Sequence, residues 1–163
     1  GIPHFDNKYR VEEVVRAQEF PSHVIIRPVF FMENLLGGWG LQGDKLMMGL
    51  KPETALQMVA VADIGKAGAQ AFTRAEELNR REFDLGADAV TMPEVAKLLG
   101  AALGRKIEFV SLPIAEVRKN SEDVALMLEW FERVGYSAKV SELDQTFGHM
   151  LRFEEWVKTL PKS

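Results

Sequence analysis

Short apolar runs alternate with amphipathic stretches along this chain, each closed by proline or glycine, and that alternation most constrains the fold. Residues 24–27 (Val-Ile-Ile-Arg) form a continuous run halted by Pro28, the kind of strand buried on both faces of a parallel sheet. Residues 57–62 predict a second strand, 82–85 a third and 106–110 a fourth. Between them lie helical periodicities. Asp6 is placed to cap a helix running to about Gln18, stopped before Pro21. Asp63 is placed to cap another, in which Ile64, Ala67, Gly68, Ala71 and Phe72 recur at i, i+3, i+4, i+7 and i+8. Thr91 and Glu94 have capping-box spacing for a helix through Leu103 that Gly104 ends. The stretch 37–52 is glycine-rich and reads as irregular, and the chain after Pro113 reads as mostly helical. Strands alternating with helices give an α/β fold with a parallel sheet. Four strands without a glycine-rich first turn amount to a partial Rossmann-type sheet with flanking helices.

The chain's 163 residues suit one domain spanning 1–163. An open edge strand would expose unpaired backbone, so homo-oligomerisation through the sheet edge is expected. The net charge of −4 and pI near 5.5 argue against nucleic acid as a partner. The runs Asn79-Arg80-Arg81 and Gly104-Arg105-Lys106 read as solvated caps. Zero cysteines removes disulfides, thiolate metal sites and a cysteine nucleophile, which fits a cytoplasmic protein. No apolar run approaches the roughly 20 residues of a membrane helix, so no membrane partner is expected. The chain begins with Gly1 rather than methionine, which reads as processing, tag cleavage or a fragment.

Two segments carry the candidate chemistry. In the pentad His4-Phe5-Asp6-Asn7-Lys8, helical spacing puts Lys8, Val11 and Val15 on one stripe. A lysine on an inward stripe needs a partner. Either it meets a ligand, such as ribose hydroxyls or phosphate, or it snorkels and pairs with Glu12 at i+4. In the second segment, Pro28 fixes the chain as it leaves the sheet, and Phe30, Phe31, Met32 and Trp39 follow. These side chains either floor a pocket for a planar ring or pack as core beneath a loop. Asn34 offers both a donor and an acceptor to a carboxamide or ribose. Other signals fail on context. Gly38-Trp39-Gly40-Leu41-Gln42-Gly43 fits a dinucleotide glycine pattern, but no strand runs into it and no apolar helix follows. His4, His23 and His149 lack metal-ligand spacing, so no metal is expected. Leu126, Met127, Trp130, Phe131 and Val134 read as core, or as a partner-binding face if exposed.

The stretches GIPHFDNKYRVEEVVRA, IIRPVFFMENLL, VAVADIGKAGAQAF and PEVAKLLGAALGRKIEFVSLP occur in that order. Together they make the chain resemble the carboxyl-terminal half of NmrA-like proteins, atypical short-chain dehydrogenase relatives that bind NAD or NADP on a Rossmann fold. The resemblance implies that Lys8 contacts the nucleotide and that Phe31, Met32, Glu33 and Asn34 pass beside the nicotinamide. Phe30, Trp39, Met47 and Met48 would then face the substrate. The wider superfamily carries a catalytic tyrosine four positions before that lysine, where this chain has His4, which can donate a proton near neutral pH. Two functions are implied: an NAD(P)H-dependent reductase of small carbonyl or quinone-like substrates, or a non-catalytic dinucleotide sensor that binds a regulatory protein. With no glycine-rich phosphate loop in the chain, weak or no NADPH binding is expected of it alone.

Overall fold

The structure, a computed structural model, describes residues 1–37 and 40–161. Its strands are β1 (Ile25–Pro28), β2 (Phe30–Phe31), β3 (Leu41–Gln42), β4 (Lys45–Met48), β5 (Ala55–Val59), β6 (Glu82–Leu85), β7 (Asp88–Thr91) and β8 (Glu108–Ser111). The helices are α1 (Pro3–Ala17), α2 (Val61–Thr73), α3 (Met92–Leu103), α4 (Ile114–Asn120), α5 (Glu122–Arg133), α6 (Val140–Phe147) and α7 (Phe153–Val157). Three ladders form the sheet structure. β1 pairs parallel with β6, and β2 pairs parallel with β5, which pairs antiparallel with β7. β3 and β4 make an antiparallel hairpin, and β4 continues parallel to β8. The predicted α/β fold with parallel pairing and flanking helices is the one observed.

The third predicted strand coincides with β6, and the bounds of the other three lie within three residues of those of β1, β5 and β8. Residues 37–52 are not simply irregular: among those described, Leu41–Gln42 and Lys45–Met48 form the hairpin. Gly43, at the turn, takes φ +59°, a left-handed conformation that glycine adopts without strain. Strands this short carry too few alternations to be recognised by period. β7 was hidden for another reason. Its residues Asp-Ala-Val-Thr include a polar and a small residue, and its pairing partner β5 lies far back in sequence.

Helix starts also differ from expectation. α1 begins at Pro3, so Asp6 sits in its first turn rather than at its cap. α2 is capped by Ala60, which has no side chain to offer, and Asp63 is buried within the helix. Its carboxylate accepts instead from the Leu151 amide at 2.7 Å, tying α2 to the segment before α7. Thr91 does occupy the cap of α3, but its hydroxyl makes no capping bond.

α3 supplies much of the packing. Val95, Ala96, Leu99 and Gly100 are buried, and a Cβ on Gly100 would lie 2.7 Å from the Arg105 carbonyl oxygen. Gly104 then ends the helix with φ +66°, its own amide bonding back to Gly100. Met32, Leu35, Leu46, Met58, Leu85, Leu99 and Phe153 are fully buried in the same core, each contributing about 2 kcal/mol by removal from water.

Candidate functional site

The pentad lies in the first two turns of α1, and the face it presents differs from the one expected. Lys8 is exposed, and Val11 and Val14 are 61% exposed, whereas Phe5, Glu12, Val15 and Arg16 turn toward the body of the protein. Of the expected stripe only Val15 faces inward, beside a ring and two charged side chains. Among the described residues nothing pairs with Lys8. Glu12, its expected i+4 partner, is committed elsewhere: its carboxylate accepts from Arg27 Nε at 2.7 Å and Nη2 at 2.7 Å, and from Arg16 at 2.8 Å. Arg16 Nε also reaches Glu82 at 2.8 Å, and Arg27 binds Glu82 and, at 3.3 Å, Asp84. Five charged side chains thus fasten α1 to β1 and β6. Arg27 holds the Glu12 carboxyl below the usual carboxylate range, while Arg16 and Arg27 together lower Glu82 to about 2. The His4 side chain lies outside what is described.

The exit from β1 is built as a buttress. Phe30 is 7% exposed and meets Phe131 edge-on at 6.4 Å, while Met32 and Leu35 are fully buried. Glu33 accepts from the Val61 amide at 3.0 Å, supplying the cap that Ala60 cannot. It also accepts from the Trp156 indole at 3.1 Å. Phe31 and Asn34 remain partly exposed, and the Asn34 amide has no side-chain partner among the described residues. On β4, Met47 is partly exposed and Met48 is buried, so Met32 and Met48 both spend their side chains on the core. Trp39 lies outside the described residues.

What sequence reasoning missed is the group that joins these segments. Phe5, inside the pentad, packs edge-on against Trp130 at 5.4 Å and lies 6.5 Å from Tyr136. Trp130, Phe131 and Tyr136 stand 5.1–5.7 Å from one another. The cluster continues inward through Phe131, at 4% exposure, to Phe30. Gly135, at φ +70°, ends α5, and its amide returns to the Trp130 carbonyl at 3.0 Å, swinging Tyr136 back over Trp130. Gln57 then fixes Ala138 by two bonds of 3.0 and 2.8 Å. The available signal was the pairing of aromatics on both sides of a glycine at a helix end.

Two concavities bear on location. One of about 300 Å³ opens at the carboxyl ends of β4 and β8, lined by Gly49, Ser111, Leu112 and two glutamates of α5. A groove of about 860 Å³ runs between α3 and the amino end of β8, away from the strand ends where α/β folds hold ligands. The starts of α1, α2 and α3 assemble no pyrophosphate cradle: α1 and α3 carry proline in the first turn, and Glu33 occupies the Val61 amide of α2.

Known proteins give this geometry a context. The uncharacterized oxidoreductase YesF of Bacillus subtilis is 24% identical over 136 residues, covering 82% of this chain and 46% of the relative. An NADPH-dependent quinone oxidoreductase, QOR2, from Escherichia coli superposes with TM-score 0.76 at 18% identity, over 93% of this chain and 58–59% of that one. NmrA, a negative transcriptional regulator solved in complex with NADP, gives TM-score 0.66 at 18% identity, over 94% and 56%. The chain spans about half the length of the curated relatives it matches. The sequence profile of the NmrA-like family matches residues 1–157, and the chain belongs to that family.

Proposed function

We propose that this chain forms the substrate side of an NAD(P)H-dependent reductase of small carbonyl or quinone-like acceptors. In this role it is the carboxyl-terminal part of a dinucleotide-binding domain. Three features support the reading: an exposed Lys8 with no partner among the described residues, an Asn34 amide likewise without one, and an aromatic cluster that the pentad joins through Phe5. Lys8 holds the ribose. Phe31, Glu33 and Asn34 flank the nicotinamide, with Glu33 acting through the loop it braces and Met32 through the core beneath it. Phe30 backs the acceptor side, Met47 borders it, Met48 supports it from the core, and Trp39 completes it. His4 is the proton donor. The dinucleotide, when bound, supplies the hydride, and the protein's part is to orient and desolvate.

A dinucleotide sensor is the second reading, favoured by His4 standing where the wider superfamily has tyrosine. The test is incubation of the protein with NADPH and a panel of quinones and small carbonyls. Turnover that Lys8→Ala abolishes supports the reductase, and nucleotide binding without turnover on any acceptor supports the sensor. Because the sequence has no glycine-rich phosphate loop and the starts of α1, α2 and α3 build no cradle, the purified 163-residue chain is expected to bind NADPH only weakly. A low-micromolar or tighter Kd by fluorescence titration would overturn that expectation.

A further inference from the structure

Tyr136 is a half-buried phenol with no hydrogen-bond partner among the described residues, set in a wall of rings. Burial pushes it up to about 12, so it remains a neutral donor throughout the physiological range. Its hydroxyl, without a protein partner among the described residues, is open to donate to a group that enters from the rim. Its neighbours narrow what that is. Phe5, Trp130 and Tyr136 are each partly exposed, while Phe131 and Phe30 behind them are buried, so the cluster has an accessible rim on an apolar floor. The cation–π contacts described, Arg16 over Tyr9 and Arg81 over Phe83, lie elsewhere, and among the described residues no cation stacks on Trp130, Phe131 or Tyr136. A flat, uncharged ring would find edges and faces to pack on.

Tyr136 is also held to its place from both sides. The left-handed Gly135 precedes it, and the Gln57 amide clamps Ala138 two residues later. Such a fixed phenol can select by geometry, because little freedom is lost when it bonds. Through Phe5 the cluster touches the same helix turn that carries Lys8.

We infer that Trp130 and Tyr136 form the recognition platform for the acceptor, with Trp130 packing on a planar, uncharged aromatic ring and the Tyr136 hydroxyl donating to an oxygen on that ring. The inference rests on the reductase reading for the acceptor's role, but its test does not.

Equilibrium dialysis of the 163-residue chain against menadione, and against naphthalene as the same ring system without oxygen, separates the two contacts. Tyr136→Phe is expected to weaken menadione binding about tenfold, one hydrogen bond's worth, and to leave naphthalene unchanged. Trp130→Leu is expected to weaken both, with circular dichroism melts of each variant checking that the fold survives. Menadione binding that Tyr136→Phe leaves unchanged, or no menadione binding at all, overturns the inference. NADPH oxidation in the same samples at millimolar nucleotide tells the two ideas apart. Tyr136-dependent binding without turnover sinks the reductase and leaves the platform standing. Turnover whose menadione KM is the same in wild type and Tyr136→Phe does the reverse.

Discussion

Helix α3 lies against the sheet with Val95, Ala96, Leu99 and Gly100 buried, whereas α1 leaves Tyr9, Val11 and Val14 more than half exposed. The first is held by close apolar packing, so close at Gly100 that a methyl group would meet the Arg105 carbonyl. The second is held by five charged side chains and the Phe5 ring. Dispersion and apolar burial do not respond to protonation, while ion pairs do. The helix that carries Lys8 is thus the one whose attachment depends on solution conditions, and the scaffold opposite is not.

Three experiments would break or sharpen that contrast. Leu99→Ala should have the largest effect, about 2–5 kcal/mol of global stability in urea unfolding, because it opens a cavity in the core. A loss confined to α3, with the remaining transition unchanged, would show that the core is not one cooperative unit. Glu12→Gln should cost less, about 1 kcal/mol, because the pairs it breaks are partly solvated. Amide exchange should then rise in α1 peptides and stay constant in α3. Equal change in both helices would erase the distinction.

The smallest effect is a pH dependence. Glu12 and Glu82 both have folded-state values below the ordinary 4.5, Glu82 at about 2. Their contribution is fully present above the unfolded value and is lost as pH falls from about 4.5 toward 2. Protection factors of α1 amides should therefore decline in that window ahead of those in α3, and simultaneous loss would count against an ionic tether.

The readability of this chain followed the range of the forces involved. β6, α3 and its Gly104 stop were legible because period and glycine conformation are local. The β3–β4 hairpin and β7 were not: two-residue β3 carries too few alternations to show a period, and β7 pairs with β5 far earlier in the sequence. For the site, the pentad and the β1 exit were legible as segments, but Lys8's exposure was misjudged. The helix turns Phe5 and Glu12 inward to meet Trp130 and Arg27, and neither contact leaves a periodic trace. Asp63 resembled a cap by composition, yet the carboxylate that caps α2 is Glu33, 28 residues before the Val61 amide it accepts from. Tyr136 joined the aromatic cluster through a glycine turn, a long-range consequence of a local conformation.

One carboxylate has a practical consequence. Glu33 accepts both from the first amide of α2 and from the Trp156 indole of α7, so the loop after β2 and helix α7 share an oxygen. Any event that shifts the loop must change the polarity around that indole. The molecule therefore carries its own optical probe: the emission of Trp156 registers the state of a loop remote from it in sequence, without an added label.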